Sequence, residues 1–521
     1  MAGIGFVLER IVERRGIRGL ARVAVVGVLV VAGPWLITSV TLGVVGALAA
    51  SRGMDLSLFF AVIIYVFAGS LIITSGYHYR VTRITADLLY QKRYRVMLQR
   101  FGRAATVSAG IGAVLGVGIA LLGSLPATVA AATTAVAIAV SVSWVAMLMV
   151  SLLTRFRAIV GAYAAGGLVT VGGAVVLAPQ AYTPEAVAVV SLVSFAAGTV
   201  VVTVILSVTV ARTLTARDNL RRTAGALRPA GERASTQESP RDSRADSRTD
   251  SRADSRTDSR TDSPRDQASA RPVTVRELAR ERGAAPRGSE GVVTLPVQTL
   301  RRIGRIGVSL TLILWVDKLI FWVAYGLPVA GTTLRLLPTY DILVFVSQLF
   351  LVPAMVFFVV RVETTTYRGV RTILRAVRGE TYREVERAKQ DLFHRLNRLF
   401  TTQAGLALTI VVVAWVLSPD VAPRNPAVFV RVTIAAQLYF LMYSSVVTLL
   451  YISDYRGALT VAALVLAVAV VGSIITVTVG TVDHVGYSYL AAGAIGAIIA
   501  RSVRNSRLVV VDRYLLTRAL M

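Results

Sequence analysis

The chain contains no cysteine. Disulfides and thiolate metal sites are therefore excluded. Lysine is almost missing as well: Lys92, Lys318 and Lys389 stand alone among 56 basic side chains. The rest are arginine, which reads as GC-rich coding rather than chemistry. The 3 histidines, His78, His394 and His484, share no metal-ligand spacing, so no metal is expected. Catalytic motifs are missing too, with no P-loop, no nucleophile elbow and no HExxH. A membrane glycosyltransferase would need acidic residues in sizeable outer loops. Here the acids of those loops are mainly Asp55, Glu185, Asp420 and Asp483. The chain is not expected to be an enzyme, and no cofactor is expected. Without a nucleotide-binding domain, any drive must come from a gradient, a partner or the synthesis of what is moved.

What remains is strongly apolar. Of the 521 residues, 55% are hydrophobic. A membrane span needs about 20 mostly apolar residues. Runs of that kind lie near 20–50, 56–78, 104–124, 128–153, 158–178, 186–212, 303–328, 340–361, 400–418, 428–451, 457–480 and 486–503. Basic residues crowd into every second connection. One side holds Arg10 to Arg22, Arg80 to Arg103, Arg155 and Arg157, Arg361 to Arg398, Arg456 and Arg501 to Arg518. The other holds only Arg52, Arg335, Arg424 and Arg431. Basic residues near span ends stay cytoplasmic, so both termini are expected inside. The first apolar run lacks a small-residue cleavage site and reads as a retained span. A net charge of +27 could suggest nucleic acid. The charge follows membrane sidedness instead, so the expected partners are anionic headgroups of the inner leaflet, not nucleic acid. The pattern predicts an all-α polytopic membrane transporter.

The chain divides into an N-terminal six-helix lobe (1–214), a polar cytoplasmic linker (215–300) and a C-terminal six-helix lobe (301–521). The lobes echo each other. Trp35 follows Arg15 at the same interval as Trp322 follows Arg302, and in each half the second segment runs into a basic loop. Paired halves suit alternating access around a site between them. The linker repeats Asp-Ser-Arg-Ala/Thr from Asp242 to Ser263. It has almost no apolar residues and balanced charge, so disorder is expected. It reads as a spacer or as a tether for a cytosolic partner, with a short helix conceivable around Val273–Arg282. In the loop at 365–398, Val370, Ile373, Leu374 and Val377 fall at helical spacing opposite Arg368, Arg371, Arg375 and Arg378. That helix is expected to lie on the inner membrane surface, or else to dock a cytosolic protein.

Charges inside spans are costly and therefore functional candidates. Asp317 and Lys318 sit near the middle of the seventh segment. Neighbours on a helix point about 100° apart, so each is expected to need its own partner or a wet cavity. Asp341 and Glu363, near the two ends of the eighth segment, are further pathway candidates or simple interface charges. Trp35 and Trp315 lie deep enough to offer a sugar-stacking face. Trp322, Tyr325 and Tyr340 read as interfacial belt residues. Pro34 and Pro353 each remove a helical hydrogen bond and are hinge candidates. Gly112/Gly116 and Gly493/Gly496 suit close helix packing.

Several of these stretches resemble the PelG family together. They are Met1 to Phe6 with Gly33-Pro34-Trp35, Thr82-Arg83 through Ala86-Asp87-Leu88-Leu89-Tyr90, Trp315-Val316-Asp317-Lys318 with Phe321-Trp322, Tyr340-Asp341, Pro353, and Glu363-Thr364 with Tyr367. The Asp-Ser-Arg linker has no counterpart in the pattern, and Thr365-Thr366-Tyr367 stands where a second aromatic is expected. The resemblance implies a MOP-exporter (MATE-like) fold of two six-helix lobes around a central cavity. It implies export of a hexosamine-rich exopolysaccharide across the inner membrane in biofilm formation. It also implies a cytosolic PelF-like glycosyltransferase and PelD/PelE-like membrane proteins as partners. Two other readings stay open. A lipid-linked saccharide flippase would need cavity arginines to hold pyrophosphate, and in-span arginine is nearly missing. A cation-coupled small-molecule antiporter would use Asp317 as its coupling carboxylate.

Overall fold

The computed structural model describes residues 27–29, 32–177, 183–226, 296–329, 331–379, 381–512 and 514. Most of the Asp-Ser-Arg linker, the helix expected near Val273 and the arginines before residue 27 lie outside the described residues.

Lipid offers no hydrogen-bond partner to the backbone, so a spanning chain must satisfy its N–H and C=O groups within helices. The described chain does this with 12 helices long and apolar enough to cross a membrane. The first half holds α1 (Gly33–Ser51), α2 (Ser57–Tyr90), α3 (Tyr94–Leu122), α4 (Ala127–Leu152), α5 (Phe156–Leu177) and α6 (Pro184–Ala226). The second begins with α7 (Val297–Tyr325). A small hairpin follows, β1 (Leu327–Pro328) pairing antiparallel with β2 (Arg335–Leu336). The helices α6 and α7 thus extend into the stretch assigned to the linker.

The eighth span is segmented. It comprises α8 (Pro338–Leu349), α9 (Val352–Phe357), a π-helical stretch (Phe358–Glu363) and α10 (Thr364–Gly379). Leu351 N–H turns back to Gln348 O at 3.0 Å, and Pro353 opens α9 in its first turn. Pro34 likewise occupies the first turn of α1, with residues 27–29 helical ahead of it. Proline is tolerated there because a first-turn N–H has no helical partner anyway. The chain then continues as α11 (Tyr382–Val421), α12 (Pro426–Tyr451), α13 (Tyr455–Val479) and α14 (Tyr487–Val509).

Helix α10 corrects one expectation. Its apolar stripe of Val370, Ile373, Ala376 and Val377 is buried, packed in one core with Val385, Leu392, Leu396 and Phe400 of α11. The stripe faces protein rather than the membrane surface. The turn between the two helices is fixed by a capping box, in which Thr381 N–H donates to Glu384 Oε2 at 2.9 Å. Lys389 on α11 bridges Glu386 at 2.9 Å and Asp512 at 3.1 Å, tying the hairpin to the chain after α14. Arg371, Arg375 and Arg383 stay exposed on its outer faces.

Small residues set the closest crossings. A Cβ on Gly112 would lie 2.6 Å from Ala137 O, and one on Gly116 2.5 Å from Thr134 Cα. Helices α3 and α4 therefore meet backbone to backbone, as the glycine spacing predicts. The two halves meet in the same manner. A Cβ on Gly76 of α2 would stand 3.0 Å from Gly304 O of α7, and one on Gly307 2.6 Å from the Tyr79 ring.

Candidate functional site

The most polar buried cluster forms at the hairpin end of α7. Asp317 is 1% exposed and Lys318 6%. One carboxylate oxygen of Asp317, Oδ1, accepts the Lys318 backbone N–H at 2.8 Å. The other, Oδ2, accepts the Tyr340 hydroxyl at 2.5 Å. Lys318 Nζ folds back to donate to Leu314 O at 2.7 Å, the carbonyl one turn behind it. That fold also brings Nζ to 3.5 Å from Asp317 Oδ1. The two neighbours therefore do pair, contrary to the sequence expectation. The flexible lysine stem curls along the helix and overcomes the 100° divergence of the Cα–Cβ bonds. Nζ also sits 5.5 Å from the Trp315 ring centroid and 5.8 Å from that of Tyr489, so two π-faces supplement one carboxylate.

Asp341 joins from the first turn of α8. Both of its oxygens accept the Trp322 indole N–H, at 2.9 and 3.0 Å, and Oδ2 also accepts Leu337 N–H at 3.2 Å. Trp322 is 1% exposed and Tyr340 2%. These two are cluster members and not interfacial belt residues, which corrects the sequence reading. Tyr325 is partly buried, and its hydroxyl reaches Thr476 O on α13 at 3.1 Å. Tyr489 adds a buried hydroxyl that has no hydrogen-bond partner.

The cluster touches the other half of the chain. The Tyr65 ring of α2 lies 4.9 Å from Trp322, and its hydroxyl donates to Arg335 O at 2.9 Å. Thr333 N–H donates to Gly123 O at 3.2 Å, and its hydroxyl donates to Leu122 O. Hence the halves are in contact at the hairpin end. Gly76, Tyr79, Gly304 and Gly307 hold them in contact nearer the opposite end of the same two helices.

The other candidates lie apart. Trp35 on α1 packs at 5.2 Å against Phe345 on α8, between the halves but outside the charged cluster. Glu363 is buried, 3% exposed, farther along the segmented span, just before α10. It closes the π-helical stretch and accepts the Tyr451 hydroxyl at 2.5 Å.

Sequence reasoning missed Arg504, which it placed in a cytoplasmic tail. The residue lies inside α14 and is 1% exposed. Its guanidinium sits 3.6 Å from the Phe400 centroid and donates to Ser445, Asn397 and Asn505. All of these partners belong to the second half. Its position beyond the apolar run hid it. Among the described residues, no group of three or more His, Cys, Asp or Glu is placed to hold a metal ion.

Solved structures with the same fold are transporters. The chain superposes on an outward-facing multidrug resistance MATE family transporter of the MOP superfamily with a TM-score of 0.52 and 12% identity, covering 94% of this chain and 96% of that one. A MOP superfamily transporter from Pyrococcus furiosus, whose binding pocket is described as reversed in polarity, gives 0.50 and 14%, covering 92% and 96%. The Vibrio cholerae MATE transporter VcmN in its bent form gives 0.50 and 11%, covering 98% and 99%. Identities this low establish the fold alone. No curated protein matches the chain in sequence. The profile of the PelG exopolysaccharide exporter (EPS-E) family matches residues 1–229 and 293–513. With both membrane halves matched in this way, the chain belongs to the PelG exopolysaccharide exporter family.

Proposed function

We propose that this membrane exporter moves a hexosamine-rich polysaccharide across the cytoplasmic membrane, along the boundary between its two halves. The observation that carries this reading is the Asp317–Lys318 cluster. A buried ion pair flanked by Trp315, Trp322, Tyr340 and Tyr489 sits where α7 meets α2 of the other half. Carboxylates bind sugar hydroxyls and amines, and aromatic rings cover apolar sugar faces. When the halves part at the hairpin end, Tyr65 leaves Trp322 and the cluster faces the passage. Trp35 and Phe345 line the same boundary on α1 and α8. The shift between closed and open arrangements would bend at Pro34 and Pro353, where the helices are already interrupted.

The arginine-rich ends of the helices belong on the cytoplasmic side by the charge rule, with both termini inside the inner membrane. A cytosolic PelF-like glycosyltransferase hands its product to that side, with PelD/PelE-like membrane proteins beside the exporter. Exposed Arg371, Arg375 and Arg383 on the α10–α11 hairpin suit an acidic partner, and the arginines near the membrane suit anionic lipids. The linker at 215–300 would tether this side of the molecule. The flippase reading gains nothing from Arg504, because every contact of that guanidinium lies within one half.

The test is surface-exposed amino-sugar polymer, measured by lectin binding in a deletion strain complemented with wild type or Asp317→Asn. Loss on deletion and rescue by wild type alone support the reading. Unchanged polymer in the deletion strain would overturn it. Accumulated lipid-linked sugar would then favour a flippase, and gradient-driven dye efflux lost in Asp317→Asn an antiporter.

A further inference from the structure

The hairpin between α7 and α8 belongs to the second half by sequence and to the first by contact. Its strands pair over two residues each, Leu327 with Leu336 and Pro328 with Arg335. A two-stranded hairpin is marginal in water by itself, so its place is set by what it rests on. Helix α3 ends at Leu122, and the last carbonyls of a helix have no partner within it. Ser124 N–H serves Leu121 O at 3.2 Å, and Leu125 N–H serves Ala120 O at 3.0 Å. The next two carbonyls, of Leu122 and Gly123, accept the hydroxyl and the N–H of Thr333. Tyr65 of α2 clasps the second strand. Its hydroxyl donates to Arg335 O at 2.9 Å and accepts Arg335 N–H at 3.3 Å, so both main-chain groups of that edge residue are taken. Val329 and Leu334 are buried in one core with Val62 and Ile119 of the first half. Toward its own half, Leu337 N–H, directly after the second strand, donates to Asp341 Oδ2 at 3.2 Å. That same oxygen accepts the Trp322 indole N–H at 2.9 Å, and Tyr65 lies against the Trp322 ring. One carboxylate thus ties the root of the hairpin to the aromatic wall of the polar cluster.

We propose that the β1–β2 hairpin is a gate over the arginine-poor end of the passage, and that Asp341 is its latch. With Asp341 on Leu337 and Trp322, the hairpin is seated on α2 and α3 and that end is shut. A carboxylate oxygen accepts only a few hydrogen bonds. A sugar hydroxyl that donates to Oδ2 therefore takes the place of Leu337 N–H and frees the second strand at its root. Thr333 and Arg335 then leave the first half, and the main-chain groups they held turn to water. No covalent bond changes and no proton is transferred. The gate opens when the cluster is occupied, so an empty passage stays closed. The sugar as trigger rests on the export reading; the hairpin's own movement does not.

The chain has no cysteine, so labels can be placed without removing a native one. Leu121 on α3, Leu327 on β1 and Val479 on α13 are exposed. Pulsed electron paramagnetic resonance in lipid nanodiscs reads two pairs. Leu121→Cys with Leu327→Cys reports the hairpin against the first half, and Leu121→Cys with Val479→Cys reports half against half. Asp341→Ala should add a longer-distance population to the first pair and leave the second unchanged. Tyr65→Phe should do the same, and it carries the test if Asp341→Ala does not fold. A glucosamine oligosaccharide added to protein with Asp341 and Tyr65 intact should lengthen the first pair. Both pairs moving together in these variants, or neither moving, would overturn the proposal. So would a first pair that ignores the sugar. A Cβ on Gly123 would lie 3.0 Å from Leu334 Cγ, so Gly123→Cys with Leu334→Cys can form a disulfide. Oxidation of that variant in the deletion strain should abolish surface polymer, and reduction should restore it. Undiminished polymer from the cross-linked protein would overturn the gate and leave the export reading standing. Unchanged polymer on deletion would overturn the export reading, and the distances in Asp341→Ala and Tyr65→Phe would still test the hairpin.

Discussion

The two halves share a helix plan and differ in what they bury. Among the described residues, the first half buries hydroxyls and one imidazole: Ser70, Thr74, His78, Ser108, Thr133 and Ser141 are typical. The second half buries Asp317, Lys318, Glu363, Asp454 and Arg504. A hydroxyl can satisfy itself on the carbonyl one turn back, as Thr74 does on Ser70 at 2.6 Å and Thr134 on Ala130 at 2.9 Å. An ion needs a counter-charge or several aligned dipoles and remains costly without them. The neutral half can therefore be held by packing alone, while the charged half depends on specific pairs. Among the described residues the buried charges therefore fall in one half, and the other meets it with packing and hydroxyls.

The largest effect should follow from breaking a pair in the charged half. In Asp317→Ala the Lys318 ammonium stays buried without its carboxylate, a loss of about 3–5 kcal/mol. Thermal unfolding in detergent should show it, and adding Lys318→Met should recover most of the stability without restoring export. If the double variant is as unstable as the single one, Asp317 acts mainly through Tyr340. Tyr340→Phe comes next. It leaves one carboxylate oxygen without its donor, for about 1–3 kcal/mol, and should lower surface polymer while the protein still folds.

In the neutral half, volume should matter more than charge. Gly112→Ala drives a methyl group into the Ala137 carbonyl, so α3 and α4 must separate, at about 1–2 kcal/mol. Export per folded molecule should hold. The smallest effect belongs to Ser141→Ala, which removes a buried hydroxyl that has no partner. Its stability should stay within about 0.5 kcal/mol of wild type. A loss as large as that of Tyr340→Phe would mean that the neutral half also hides a working polar site.

Length, apolarity and the sidedness of arginine made the spans legible, because each is a property of contiguous sequence. The in-span charges were legible for the same reason. Their partners were not. Tyr340 reaches Asp317 across the end of one helix, a hairpin and the start of the next helix, and Tyr451 reaches Glu363 from two spans away. Such pairs depend on which helices become neighbours, and no local spacing encodes that. The stripe on α10 shows the same limit. Periodicity announced an apolar face, yet only the fold determined that α11 and not lipid would cover it.

The π-helical stretch before Glu363 has a mechanical consequence. A π turn holds one residue more than an α turn, and one residue on a helix corresponds to roughly 100° of rotation and 1.5 Å of rise. Were the extra residue to slide along the span, everything on one side of it would swivel by that angle while the backbone hydrogen bonds re-formed behind it. Asp341 sits near one end of this segmented rod, and Glu363 at the close of its π-helical stretch. The rod can thus behave as a screw, in which a quarter turn near Glu363 would carry the carboxylate off Tyr451 and leave the Asp341 end where Trp322 holds it.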